Sequence, residues 1–298
     1  MYTYISLHPR ATTADVPAGT LGVEVTARHL AEACSLGNID PQHLGGDVST
    51  AAIEAAMSWP LPPEGATLAT VRADADSLGA MAVLTLRAKG IPIDAARVQV
   101  IADADKEASG PWPGIRPAPA PEDLVGPATP VMHLAADYAR PLPDRVDQLA
   151  CWLMDADADA DHSCDEEIGE YAARALDEAR DALAGLQVDM HGSVAVVVGS
   201  HRLAFSLGYR HAPVVVATNP AFRFSGGEPH VKHTVARWNS ATLPGMDWNG
   251  MVGRLNAADP AVTETARWGG STSIVGSPQG ISSGLTTEDV ADIVAAHL

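Results

Sequence analysis

The chain has 298 residues, 46% of them hydrophobic, with 37 acidic and 19 basic residues and a formal net charge of −18. This length suits two domains or one large one, and the apolar content is enough for a sizeable core, which excludes wholesale disorder. The negative charge excludes general electrostatic binding of long nucleic acid, although a locally basic or metal-lined pocket can still hold a short phosphorylated ligand.

The chain carries no recognisable targeting or membrane segment. Residues 1–19 lack a basic segment followed by an apolar run, and no stretch of about eighteen apolar residues occurs, so we expect a cytoplasmic protein without a signal peptide or membrane span. Cys34, Cys151 and Cys164 are scattered and form no CxxC pair, which predicts neither a zinc ribbon nor a disulfide framework.

The first half alternates helices and strands. In chain order the pattern predicts a helix at 27–36, a helix at 48–59, a strand at 66–71, a helix at 77–89 and a strand at 97–102. Strand, helix and strand in about 35 residues form a βαβ unit, and hence a parallel sheet. After a Pro-rich loop at 111–130 come helices at 144–154 and 166–186, separated by an acidic connector at 155–167.

The second half is richer in β-structure. We predict three strands, at 193–199, 213–218 and 230–238. A helix at 246–258, a Gly/Ser-rich loop at 268–284 and a closing helix at 287–298 follow them. We therefore expect an α/β protein with a parallel-sheet N-terminal domain at 1–187 and a smaller α/β C-terminal domain at 188–298, joined by the long helix at 166–186.

Polar residues follow both strands of the predicted βαβ unit. Arg72, Asp74, Asp76 and Ser77 follow the first strand, and Asp103, Asp105 and Lys106 follow the second. Ligands bind at the carboxyl ends of parallel strands, and carboxylates that converge there repel one another unless a cation is shared, so Mg²⁺ or Mn²⁺ is expected. The alternative is that Asp76 or Ser77 only caps the following helix.

Three stretches together resemble the DHH phosphoesterase superfamily. "VRADADSLGAMAVL" (71–84) is similar to that family's first motif, in which a strand leads into a His-x-Asp-x-Asp turn and a small-residue helix. "HTVARWNS" (233–240) and "RWGGSTSIVGSPQG" (267–280) resemble the DHH-associated C-terminal domain, which binds substrate.

The resemblance implies roles for individual residues. Asp74, Asp76 and Asp103 match catalytic metal ligands. Arg72, Ser77 and Lys106 are substrate-binding candidates because of their place at the predicted strand ends, and not because of the resemblance. Arg237, Gly269, Gly270 and Ser271 match substrate-binding positions in the C-terminal domain.

The chain also departs from the family pattern. Arg72 replaces the first-motif histidine, and the chain has no Asp-His-His tripeptide. His133 and Asp137 are candidates for the missing metal positions, and His43 with Asp47 is a second pair, although a loop or surface role is the favoured interpretation for each pair. Arg72 is also a fixed planar cation that suits a phosphate and would replace a metal charge.

The sequence therefore predicts a hydrolase that uses Mn²⁺ or Mg²⁺ on a small phosphate ester or phosphodiester, such as a short oligonucleotide or cyclic dinucleotide. The alternative is a non-catalytic nucleotide- or phosphate-binding protein that has lost its metal histidines. We expect no partnership with long nucleic acid or membranes, and a homodimer remains open.

Residues 155–166 match the oxygen positions of a calcium loop, but Ala160 stands where the sharp turn needs glycine. A solvated linker is therefore the favoured interpretation of that segment, and Ca²⁺ binding is not expected there.

Overall fold

The computed structural model describes residues 1–8, 10–41, 50–107, 112, 114–116, 118–154, 163–223, 227–238, 243–264, 266–271 and 273–298, without the side chains of 107 and 163–165. The chain divides into two compact units, Met1–Ser109 with Pro127–Ala175, and Gly110–Gly126 with Leu176–Leu298. No helix in these described ranges is both long and apolar enough to cross a membrane.

The first unit contains a parallel four-stranded sheet. Its strands are β1 (Thr3–Ser6), β2 (Thr20–Val23), β3 (Asn38–Ile39) and β4 (Thr67–Thr70), in the order β1-β4-β2-β3. The strand predicted at 66–71 is confirmed as β4. The first three strands were not predicted, because they are short and lie among turn-forming residues.

Seven helices accompany this sheet in the described chain: α1 (Arg28–Ala33), α2 (Ala52–Ala56), α3 (Ala75–Lys89), α4 (Ala95–Glu107), α5 (Thr129–Ala135), α6 (Leu142–Leu153) and α7 (Ser163–Gly185). Helix α3 is the central one, since it is buried from Asp76 to Leu86 and packs against α2, α4 and α6. An apolar helix of this kind must be enclosed by other elements. The chain passes into the second unit within α7.

The strand predicted at 97–102 is wrong, because these residues lie within helix α4. The side chain of Asp94 accepts the backbone N–H groups of Ala96 and Arg97 at 2.8 and 3.2 Å, which starts a helix. Val98, Ile101 and Ala102 are buried, and their spacing of three and four residues is helical. The alternating letters R-V-Q-V indicate a strand when they are read alone. Because these residues are helical, the predicted βαβ unit does not exist, although the sheet is parallel.

The second unit contains a mixed six-stranded sheet. Its strands are β5 (Gln187–His191), β6 (Val194–Val198), β7 (Val214–Phe222), β8 (His230–Arg237), β9 (Gly269–Gly270) and β10 (Ile274–Gly276), in the order β5-β6-β7-β8-β10-β9. Its helices in the described chain are α8 (Ala204–Gly208), α9 (Trp248–Ala258) and α10 (Thr287–Ala295), besides the end of α7. The two-domain α/β class predicted from sequence is confirmed.

Each face of this second sheet has its own core. Val214, Val235 and Trp268 pack with α9 and α10 on one face. Ala195, Val197 and Ala236 pack with α8 on the other. The successive residues Val235 and Ala236 of β8 therefore belong to different cores, as the two-residue period of a strand requires.

Candidate active site at the strand ends

Asp74 stands at the start of α3 and caps it. Its carboxylate accepts the N–H of Ser77 at 3.1 Å, and the Ser77 hydroxyl accepts the N–H of Asp74 at 3.1 Å. The same hydroxyl donates to the carbonyl of Arg72 at 2.7 Å. Ser77 is fully buried, and these hydrogen bonds to Asp74 and Arg72 hold the turn that starts α3. Helix capping therefore accounts for Asp74 and Ser77 in part, and the substrate role of Ser77 stays a prediction.

Asp76 lies deeper than a capping residue needs to. It is 2% exposed, and its two oxygens accept the N–H groups of Ala52 and Ile53 at 2.7 and 2.8 Å. These two donors belong to the first turn of α2, where backbone N–H groups have no partner within the helix. The contacts hold the Asp76 carboxylate in one orientation.

Glu24 follows β2 and is 5% exposed. Its backbone has φ 51, a left-handed conformation that is strained for a residue with a side chain. The neighbouring Asn38 holds this turn, because its side chain accepts from the N–H of Val25 and donates to the carbonyl of Val25, both at 3.2 Å. Gly22 makes the approach possible, since a Cβ atom there would lie 2.3 Å from Asn38 Oδ1. Strained non-glycine residues of this kind concentrate at functional sites.

Two buried carboxylates at this edge of the first sheet, Glu24 and Asp76, are affected by other carboxylates. The charges of Asp76, Asp74, Asp105 and Asp40 act on Glu24, and those of Asp105 and Asp74 act on Asp76. Burial, followed by the charges of the four aspartates, raises the pKa of Glu24 to about 10. Burial and the charge of Asp105 raise the pKa of Asp76 to about 7, although the N–H groups of α2 oppose that rise. At neutral pH Glu24 therefore holds a proton, and Asp76 is near the midpoint of its titration.

Asp105, and not Asp103, is the α4 residue whose charge acts on Asp76 and Glu24. The Asp103 carboxylate accepts from the side chain of Gln99 at 2.6 Å and lies 4.0 Å from Lys106 Nζ. The prediction that Asp103 ends a strand is wrong, for the helical reason given above. Lys106 Nζ itself donates to Glu54 at 2.8 Å, and its role in substrate binding stays a prediction.

Two hydrogen-bond donors, an imidazole and a guanidinium, lie at the ends of the two neighbouring strands β1 and β4. His8 and Arg72 each stand two residues beyond the paired positions Ser6 and Thr70, so the chain leaves the sheet at both places side by side. The Arg72 side chain is 80% exposed and lies 3.4 Å from the Asp74 carboxylate. His8 Nδ1 accepts the N–H of Arg10 at 3.0 Å, which leaves the proton of a neutral imidazole on Nε2.

The donor chemistry at the strand ends suits a hard divalent cation, because carboxylate oxygens are the ligands that Mg²⁺ and Mn²⁺ prefer. Among the described residues, however, no three His, Cys, Asp or Glu side chains already form a ligand set. The fit is therefore one of charge and donor type, and ligation requires some of these side chains to turn toward a shared ion.

The remaining metal candidates lie elsewhere or outside the described residues. The Asp137 carboxylate accepts the Tyr171 hydroxyl at 2.8 Å and lies 3.7 Å from Arg140, and these partners lower its pKa, Tyr171 most. His133 is on α5. A metal role for these two residues stays a prediction. His43 and Asp47 lie outside the described residues, as do 155–162 of the acidic connector.

The predicted substrate residues of the second unit separate into two environments. The Arg237 side chain is buried, and its guanidinium lies over the Trp248 ring at 5.0 Å. Trp248 also donates to the carbonyl of Ser271 at 3.1 Å. Gly269 and Gly270 instead form the exposed strand β9 and line a surface pocket of about 520 Å³. Substrate binding by these four residues stays a prediction.

Sequence reasoning missed Glu24 and Asp40 altogether. The signal for Glu24 was a single charge within the apolar run "TLGVEV", and Asp40 follows the short run "GNI". Glu24 comes under the charges of Asp76 and Asp40 only through the order of the strands.

No protein-family model matches the chain, and no curated protein is significantly similar to it. Among solved structures it aligns with the pGpG-specific phosphodiesterase PggH of Vibrio cholerae, at 8% identity, over 93% of this chain and 96% of that one, with a TM-score of 0.41. A likeness at this level says nothing about the reaction or the residues that perform it, so both are argued from the site itself.

Proposed function

We propose that this protein is a metal-dependent hydrolase of a small phosphate ester or phosphodiester, with its reaction site at the ends of β2, β3 and β4. The observation that carries the proposal is the group of carboxylates there, of which Glu24 and Asp76 are buried. Burial and neighbouring charges raise the pKa of Glu24 to about 10 and that of Asp76 to about 7, so the ionised carboxylates are disfavoured in the folded protein. This arrangement does not stabilise the fold by itself. The arrangement becomes favourable once a divalent cation shares the negative charge.

Asp76, Asp74, Glu24 and Asp40 are the residues that would hold the ion. Asp76 would be the most rigid ligand, because two backbone N–H groups orient it. Asp105 is exposed and acts on Asp76 from α4, so we assign it to the outer edge of the site. A divalent cation bound here supplies Lewis acidity toward a phosphoryl oxygen and toward water.

Arg72 and His8 give this edge of the sheet a second property. A planar guanidinium and an imidazole N–H both donate hydrogen bonds to phosphate oxygens. Because they leave the sheet at the strands next to the carboxylates, they would hold a phosphate group against the ion. The overall charge of −18 favours a short substrate over a polymer.

The test compares two neighbouring aspartates of α4. In protein stripped of metal with EDTA, Mn²⁺ binding is measured by electron paramagnetic resonance, and hydrolysis of bis(4-nitrophenyl) phosphate is followed with Mn²⁺ added. We expect Asp105→Asn to weaken Mn²⁺ binding roughly 10–100-fold, as loss of an outer-shell partner does. Asp103→Asn, which removes the same charge from the same helix, should leave binding within about twofold. The reverse ranking would favour Asp103, and a protein that neither binds Mn²⁺ or Mg²⁺ nor cleaves the diester would refute the proposal.

The second candidate is a non-catalytic phosphate-binding protein. One observation favours it, namely that the described side chains do not already present three ligands to an ion. Arg72 would then take the place of a metal charge. This candidate predicts that phosphate esters bind equally well with Mn²⁺ present and with EDTA present, and that no ester is cleaved.

A further inference from the structure

The second unit carries a surface pocket of about 520 Å³ on one face of its sheet. Thr234 of β8 pairs with Gly276 of β10, and Gly276 pairs with Gly269 of β9. Directly opposed residues point to the same face, so Thr234, Gly276 and Gly269 together form the floor of the pocket. The two glycines carry no side chain. We call this cavity the Lys232 pocket, because Lys232 lies two residues before Thr234 and hence on the same face.

The charge of the Lys232 pocket is opposite to that of the whole chain. Lys232 and Arg267 line it, together with the hydroxyl of Thr234 and the amide of Gln279. None of its described lining residues is an aspartate or glutamate. In a chain with almost twice as many acidic as basic residues, two cations without a lining carboxylate mark a place where an anion is favoured.

Lys232 is held in the pocket by its surroundings. Its Nζ donates to the carbonyl of Ser277, and its side chain is partly buried. Gly276 leaves room for it, since a Cβ atom at that position would lie 2.9 Å from Nζ. Burial lowers the pKa of Lys232, which is the direction expected when an ammonium group is removed from water.

We infer that the Lys232 pocket binds the phosphate group of a small phosphomonoester. Lys232 and Arg267 supply charge to match a dianion, and Thr234, Gln279 and the open backbone of β9 supply hydrogen bonds. A free phosphate ion would leave most of 520 Å³ unfilled, so the remaining space takes the organic part of the ligand against Ile274 and Ala266.

This site includes Gly269 and Gly270 of the predicted substrate positions, but not Arg237 or Ser271. Arg237 was the predicted cation of this unit, but it lies five residues from Lys232 and therefore on the other face of the sheet, over Trp248. The inference does not depend on hydrolysis in the first unit, because a phosphate-binding pocket functions with or without it.

The experiment measures binding of inorganic phosphate, adenosine 5′-monophosphate and adenosine by calorimetry, at constant ionic strength with EDTA present. We compare the full chain with Lys232→Met and with the control Lys89→Met, which removes one charge from an exposed position of α3 in the first unit. Lys232→Met should weaken binding of the monophosphate roughly tenfold or more, since it removes one charge-assisted contact. Lys89→Met should leave binding within about twofold, and adenosine should bind far more weakly than its monophosphate.

A second variant protects the test against misfolding. Gly276→Ala keeps every charge but pushes Lys232 from its place, so it should also weaken binding. The inference is overturned if the full chain binds neither phosphate nor the monophosphate, or if Lys232→Met and Lys89→Met bind alike. Asp76→Asn, tested in parallel, separates the two sites: it should abolish Mn²⁺-dependent hydrolysis and leave monophosphate binding unchanged. If hydrolysis is absent in the full chain while monophosphate binding depends on Lys232, the proposed function fails and this inference stands.

Discussion

The variant Asp76→Asn removes a buried negative charge and keeps the shape of the side chain. Asp76 is 2% exposed, and burial together with the charges of Asp105 and Asp74 raises its pKa from the ordinary 3.8 to about 7. Its folded-state pKa is therefore higher than its unfolded-state pKa, so the folded protein binds this proton more tightly. The contribution of Asp76 to stability is then most favourable below about pH 4 and is lost as the pH rises through about 7.

The size of the effect follows from the pKa values. Each pKa unit corresponds to about 1.4 kcal/mol, so ionising Asp76 in the folded state costs about 4 kcal/mol above pH 7. Asparagine does not ionise and avoids this cost. It has only one acceptor oxygen, however, so the N–H of Ala52 or Ile53 loses its partner, at about 1–3 kcal/mol at every pH.

The two terms predict a crossing of the stability curves. In EDTA, Asp76→Asn should be less stable than the natural protein at pH 4 and more stable at pH 8, by about 1–3 kcal/mol in each case. Urea unfolding of both proteins at pH 4, 6 and 8 measures the difference in their free energies of unfolding. Titrating groups that are not coupled to Asp76 contribute equally to both proteins and cancel in this difference. Glu24, Asp74 and Asp105 share the titration, so the change spreads over more than one pH unit.

Mn²⁺ provides the link to function. At pH 8 it should raise the melting temperature of the natural protein and leave that of Asp76→Asn almost unchanged, because binding to the folded state alone stabilises it. Parallel stability curves for the two proteins from pH 4 to 8 would refute the electrostatic reasoning. An equal Mn²⁺ shift in both would refute the assignment of Asp76 as a ligand.

Three further variants test the neighbourhood of this site. Glu24→Gln replaces a side chain that is protonated at neutral pH, so the free energy of unfolding in urea at pH 7 should change by less than about 1 kcal/mol. Its Mn²⁺ affinity, measured by paramagnetic resonance, should fall at least about tenfold. Gly22→Ala places a methyl group against Asn38 Oδ1 and should destabilise the protein by about 1–3 kcal/mol in urea; an unchanged midpoint would mean that the turn at Glu24 is not held as described. Arg72→Ala removes only an exposed ion pair with Asp74, so stability should change by less than about 1 kcal/mol while KM for a phosphodiester rises about tenfold; an unchanged KM would remove Arg72 from the substrate site.

Local sequence patterns were sufficient where one element carries its own signals. The strand at 66–71, the polar turn after it and helix α3 follow from an apolar run and a small-residue helix, although the residue that caps α3 is Asp74 and not Asp76 or Ser77 as expected. The long helix α7 follows from its amphipathic periodicity, and strands β6, β7 and β8 follow from their β-rich composition. The short first three strands and β9 gave no such signal, because two to four residues are too few to show a period.

The choice between Asp103 and Asp105 shows what the local pattern lacks. Read as a strand, both residues stand beyond its end and converge on Asp74 and Asp76. In a helix, residues two apart lie about 200° around the axis from each other, so only one of them faces the site. The charge of Asp105 acts on Asp76, while Asp103 lies beside Gln99.

By itself the sequence determined the α/β class, the division into a parallel-sheet unit and a second α/β unit, and the Asp74–Asp76 turn, because each depends on residues close together in the chain. Only the tertiary structure decided which charges meet. Glu24 comes under the charges of both Asp76 and Asp40 because β2 lies between β4 and β3, and Lys232 lies apart from Arg237 because a strand alternates its faces. Neither the order of strands in a sheet nor the face that becomes a pocket is written in local periodicity, since both are set by long-range packing.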